Sequence, residues 1–169
     1  MKKLVSLLSA IFASVSIFAQ SQSINVEFGG RSYELNLSQN KTAEIFAKNL
    51  DRKSLSMTKY GGFEFYSYTS LDYDKSDATI SAYKAGRIYY NLNFQAISVA
   101  YADHSIGSAK AVEIGEFADK SVCDALKNLS NGSVFVFKKS ESATAVSKKS
   151  SVVSSNSKKL VIYYSLTET

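Results

Sequence analysis

The stretch from Gly86 to Glu116, GRIYYNLNFQAISVAYADHSIGSAKAVEIGE, constrains the fold more than any other part of the chain. Successive side chains of a strand point to opposite faces, so Ile88, Tyr90 and Leu92 share one face and Arg87, Tyr89 and Asn91 the other. After a tight turn at Asn93 to Gln95, Ile97, Val99 and Tyr101 continue the large face, while Ala96, Ser98, Ala100 and Ala102 form a face of small side chains. Such a face leaves room for something to lie against the sheet, either another element of the chain or a ligand. Val112 and Ile114 make a third strand, and Gly115 is expected to let the chain turn into a helix from Glu116 to about Leu129. This pattern is that of a β-barrel.

The same alternation recurs upstream. Ile24, Val26 and Phe28, then Tyr33, Leu35 and Leu37 across Gly29-Gly30, predict a hairpin. Asn40 or Thr42 can cap a helix whose buried stripe is Ala43, Phe46, Ala47 and Leu50. Leu55 and Met57, the Gly61-Gly62 turn and the strand Phe63 to Tyr68 predict a second hairpin, in which Glu64, Tyr66 and Tyr68 share a face opposite Phe63 and Phe65. The polar loop Thr69 to Ala85 carries Asp72, Asp74 and Asp77. Asp77 stands where a calcium loop of the EF type needs glycine, and Tyr83 where it needs glutamate, so an ordinary acidic loop is expected. In the later helix Ala118, Val122, Ala125, Leu126 and Leu129 give the apolar stripe with Cys123 beside it, and Val134 to Phe137 is a further strand.

A formal charge of +5 suggests nucleic acid only until it is mapped. Two lysines precede Ala19 and six follow Phe137, whereas residues 20–137 hold 12 basic and 13 acidic side chains, so no phosphate-tracking groove is indicated. One cysteine cannot make an internal disulfide. Neither Cys123 nor the lone His104 has a second soft ligand near it in sequence, and glycine spacing of the Walker or Rossmann kind is missing. With one histidine no Ser-His-Asp set stands out, and no metal or cofactor is implied.

Met1-Lys2-Lys3 followed by LVSLLSAIFASVSIFA reads as a secretory signal removed after Ala19; this 16-residue run, diluted by four serines, is short for a membrane span. Residues 20–139 form the expected domain, long enough to bury a real core, and 140–159 read as a Ser/Lys-rich flexible loop. The strand-forming run Leu160 to Leu166, within residues 160–169, is expected to pair with Val134 to Phe137, the alternative being an exposed edge that recruits another chain.

Taken in order, INVEFGGRSYELNL, TAEIFAKNL followed by LSM, GGFEFYSY around Glu64, AGRIYY, AISVAY and VEIGEF resemble the small bacterial and archaeal cyclophilin-like domain family. The resemblance implies a mainly β fold with two short helices, a closed eight-stranded barrel distantly related to the prolyl isomerases, in a family whose members are largely without an assigned activity. True cyclophilins direct an arginine at a prolyl amide. None of Arg31, Arg52 and Arg87 lies in a segment matching that motif, so no catalytic residue is carried over. The expectation is therefore an exported module in the periplasm or outside the cell that binds a small molecule, peptide or protein. Its candidate groove is formed by Glu64, Tyr66, Tyr68, Arg87, Tyr89 and Tyr101, where tyrosines supply rigid contact area and Glu64 a polar anchor. A peptidyl-prolyl isomerase and an assembly built through Leu160–Leu166 are the alternatives.

Overall fold

The computed structural model describes residues 22–140. Strands β1 (Ser23–Phe28) and β2 (Arg31–Leu37) form the expected hairpin across Gly29-Gly30, whose φ angles of 57° and 74° suit glycine. Helix α1 (Lys41–Asn49) begins at Asn40. The Asn40 Oδ1 accepts from the Ala43 N–H at 2.7 Å while its Nδ2 donates to the Glu113 carbonyl at 2.8 Å, so one side chain starts the helix and ties it to the sheet. Then come β3 (Ser54–Ser56), β4 (Thr58–Tyr60), β5 (Glu64–Tyr68), a one-turn 3-10 helix Lys75–Asp77, β6 (Ala82–Tyr83), β7 (Arg87–Asn91), β8 (Ala96–Ala100), β9 (His104–Ser105), β10 (Ala111–Phe117), α2 (Val122–Asn128) and β11 (Val134–Lys139).

Nine strands make one antiparallel sheet in the order β3-β11-β1-β2-β10-β7-β8-β5-β4. Its two ends are consecutive in the chain, separated by Met57 alone. Met57 is fully buried; its N–H donates to the Ser133 carbonyl and its carbonyl accepts from the Gly132 N–H, both at 2.9 Å. The segment thereby leaves β11, bends, and joins β5, rolling the sheet into a nearly closed barrel. Counted as one bent strand, Ser54–Tyr60 gives the expected eight; the interruption at Met57 makes the observed nine.

The large faces read from the sequence point inward. Val26, Leu35, Phe65, Ile88, Val99, Val112, Phe135 and Phe137 are buried in one core with Phe46 of α1 and Leu126 of α2. Each such side chain contributes about 1.5–3 kcal/mol of transfer free energy. Phe28 stacks between Tyr33 and Phe135 with both centroid distances at 4.5 Å, and Phe46 meets Phe137 edge-on at 5.3 Å, fastening α1 to β11.

One expectation is corrected. Gly115 does not turn the chain into a helix: β10 bulges between Glu113 and Gly115, then continues beside β2 with Gly115 opposite Leu37 and Phe117 opposite Leu35, and α2 starts only at Val122. Glycine is needed for closeness. A Cβ at Gly115 would lie 2.4 Å from the Asn36 carbonyl oxygen. Strand β11 lies between β1 and β3; the run 160–166, expected to pair with it, lies outside the described residues.

The Thr69–Ala85 segment is anchored. The Asp77 carboxylate accepts from the Thr42 N–H at 3.0 Å and hydroxyl at 2.8 Å, placing a negative charge at the start of α1, and the Asp74 N–H donates to the same hydroxyl at 3.0 Å. Its end, β6, pairs with β9 as a two-stranded ribbon, Ala82 opposite Ser105 and Tyr83 opposite His104.

Because the atom facing Gly115 is backbone, which cannot swing aside, Gly115→Ala should destabilise the protein by about 2 kcal/mol or more, read from the denaturant midpoint. An unchanged midpoint would show that β2 and β10 can part without cost.

Candidate functional site

The small face of β8 receives two things. Toward one end Ala100 packs with Tyr83, Tyr89 and Ala111 in a second apolar cluster, so the β6–β9 ribbon covers it. Toward the other, Ala96 and Ser98, themselves buried, form the floor of a cavity of about 420 Å³. Its walls are Tyr60, Phe63, Tyr66, Tyr68, Phe94 and Ile106, with Glu64, Asn91, Ser98, His104 and Ser105 as its polar groups.

Strand geometry places Glu64, Tyr66 and Tyr68 together. They alternate along β5 with the buried Phe65, and β5 lies against β8 with Glu64 opposite Ala100, Tyr66 opposite Ser98 and Tyr68 opposite Ala96. Small partners leave the larger β5 side chains standing clear. Tyr60, Tyr66 and Tyr68 form an edge-to-face series, with centroids 6.1 Å and then 5.3 Å apart.

Two acceptors meet at the polar end. His104 Nε2 lies 3.7 Å from Glu64 Oε2, the imidazole and carboxylate side chains being 10% and 13% exposed. Among the described residues three buried side-chain polar atoms lack a hydrogen-bond partner, and these are two of them; the third is the Tyr101 hydroxyl. The imidazole is clamped by Phe63, at 4.0 Å between centroids, and by the edge of Tyr83 at 5.0 Å. Its Nδ1 lies 3.2 Å from the Ala102 carbonyl. Since a carbonyl only accepts, this contact assigns the proton of neutral imidazole to Nδ1 and leaves a lone pair on Nε2 facing the carboxylate.

Burial holds the Glu64 carboxyl above the ordinary carboxylate range, with the Ser98 hydroxyl and then His104 acting in the opposite direction. Tyr83, buried against the same serine and bonded through its hydroxyl to the Asn91 side-chain amide at 3.1 Å, is pushed up to about 12 chiefly by desolvation.

The other expected groove residues lie elsewhere. Tyr89 is behind the wall: it stacks on Tyr83 at 4.2 Å with rings 3° from parallel, and its hydroxyl accepts from the Lys84 N–H at 2.9 Å. Arg87 is held by Glu113 at 2.7 Å and Glu116 at 3.0 Å, away from the cavity. Tyr101 points into the barrel, 5.8 Å from Phe65 and beneath the Lys59 ammonium. His104, by contrast, belongs to the site without having been among the expected groove residues. Its signal was the register: a strand paired so that Glu64 faces Ala100 brings whatever comes after Ala100 close to that carboxylate.

The model of the cyclophilin-like family matches residues 26–138. The chain belongs to the cyclophilin-like family. A solution structure of a hypothetical protein from Archaeoglobus fulgidus superposes on this cyclophilin-like domain with a TM-score of 0.54 at 16% identity, covering 71% of this chain and 95% of that one. The likeness is one of fold. No curated protein matches the chain.

Desolvation of the Glu64 charge in the cyclophilin-like domain has a definite sign. Its folded pKa lies above its unfolded value, so folding takes up a proton, and the stability of the ligand-free protein falls as pH rises from the ordinary glutamate value of 4.5 through the raised one. Glu64→Gln should remove that slope and raise Tm at pH 7 by about 2–5 °C. A Tm that drops, or a parental slope left intact, would show that Glu64 is already compensated within the fold.

Proposed function

We propose that this cyclophilin-like domain is an exported binding module whose ligand enters the cavity between β5, β8 and the β6–β9 ribbon. The observation that carries this reading is where exposed apolar surface gathers. Of the five large hydrophobic side chains exposed among the described residues, Tyr60 (57%), Tyr68 (69%) and Phe94 (63%) all line this one cavity. Aromatic groups left in water around a concave site that also holds unpartnered polar atoms are the arrangement of a binding site. A second depression, about 570 Å³ and lined by Arg31 to Glu34, Ala118, Asp119 and Ser121, has neither feature among its described residues. The isomerase alternative gains nothing from Arg87, whose guanidinium is engaged by two glutamates.

Export rests on the charged and apolar leader, and the domain is consistent with its removal. Strand β1 begins at Ser23, beyond the expected cleavage after Ala19. Among the described residues no helix is long and apolar enough to cross a membrane. Intact-mass measurement of the protein recovered outside the cytoplasm should give a chain starting at Gln20; a cytoplasmic full-length chain would refute export.

Cavity binding is tested with a fragment set of small aromatic amines, alcohols and carboxylates, followed by amide NMR shifts. Shifts should concentrate at Glu64–Tyr68 and Asn91–Ser98. Phe94→Ser and Tyr68→Ser, both at exposed positions, should weaken the bound fragments about 5-fold or more while Tm moves by only about 1 °C. Shifts centred on Arg31–Glu34 instead would move the site to the other depression.

A further inference from the structure

The polar end of the cavity narrows the choice of occupant, provided the cavity is the binding site as proposed above. Glu64 Oε2 and His104 Nε2 stand 3.7 Å apart, both buried and both without a partner. In the neutral imidazole, whose proton the Ala102 carbonyl places on Nδ1, neither atom can satisfy the other, since two acceptors face each other. The missing component is a donor, and a charged donor suits a carboxylate best.

We propose that the cavity takes an organic cation bearing N–H groups, a primary ammonium or guanidinium, whose protons are accepted by Glu64 Oε2 and His104 Nε2 while its carbon stem lies along Tyr66, Tyr68 and Phe94. The lining supports the sign of the charge: it has one carboxylate, five tyrosine and phenylalanine rings whose faces attract cations, and no lysine or arginine. An anionic ligand would meet Glu64 unscreened. An apolar ligand would strip water from both acceptors and replace none of their bonds. A quaternary ammonium would suit the rings and leave both acceptors unpaired.

Acid competes for the same place. A proton taken up between Glu64 Oε2 and His104 Nε2 supplies the missing donor internally, so acid and the organic cation compete for one position. The groups facing the pair do not reverse this. Ser98 does not titrate, the phenols of Tyr66, Tyr83 and Tyr101 are held above their ordinary value, and Asp103, next to His104, is engaged by Lys84 at 2.8 Å.

His104 is the sole histidine, so its ring nitrogens are assigned without ambiguity in ¹⁵N-labelled full-length protein. The probes are phenethylammonium, its N,N,N-trimethyl analogue, phenethyl alcohol and phenylacetate. Phenethylammonium should bind about 10-fold or more tighter than the alcohol and shift the His104 Nε2 resonance as expected for an acceptor gaining a hydrogen bond. Glu64→Gln should cost it about 10-fold while changing the alcohol about 2-fold or less. Equal affinities, preference for the trimethyl analogue, a silent His104, or a bridging water that no ammonium displaces would overturn the inference. Amide shifts along Tyr66 and Phe94 would in those cases still report cavity binding and leave the broader reading standing, whereas no shift there with any probe removes both. If Glu64→Gln does not fold, the parent protein decides the matter: affinity for phenethylammonium no greater than for phenethyl alcohol refutes the proposal.

Discussion

The bend at Met57 governs the rest of the structure, because a sheet whose first and last strands are one continuous segment has to roll up. Once rolled, it separates its side chains into an inner set and an outer set. The inner set is large and apolar throughout. The outer set is free to vary, and along β8 it is reduced to alanine and serine, the part of the barrel wall onto which a ribbon and a cavity are both fitted. Met57 also sets the position of β4, which brings Tyr60 to the cavity rim.

The polar pair in the cavity is set against the rest of the structure. Elsewhere charges sit at the surface in ordinary ion pairs, such as Lys84 with Asp103 or Lys138 with Glu27. Glu64 is instead carried partly out of water by the same strand that buries Phe65, and receives less than it lost. Proteins keep such uncompensated groups where a ligand completes them, since a site already satisfied by its own fold has nothing left to offer.

Most of the fold was legible because alternation and glycine placement are local. The β1–β2 hairpin, the Asn40 cap, the stripe of α1 and the two faces of β7 and β8 were all readable from neighbouring residues. What failed depended on approach between distant segments. Gly115 resembled a helix entry because the Asn36 carbonyl that crowds it is 79 positions away. Half of the candidate site was legible for the same reason: Glu64, Tyr66 and Tyr68 share a strand face, which parity reveals. Arg87, Tyr89 and Tyr101 were expected beside them, but ion pairing draws Arg87 to Glu113 and Glu116, Tyr89 serves as backing for Tyr83, and Tyr101 has inward parity. His104 was invisible because a lone histidine has meaning only beside the carboxylate that register brings to it.

The bond between Asp77 and Thr42 bears on how the cavity works. It fastens the segment leading to Tyr83 onto the first turn of α1, so the ribbon that carries His104 is moored at a second point, remote from the barrel wall it lies on. A wall held from two sides does not wait for a ligand to shape it. For a ligand bound as proposed, little ordering entropy would be left to lose on association, and selectivity would fall to the exchange of water for the incoming group at one carboxylate and one ring nitrogen.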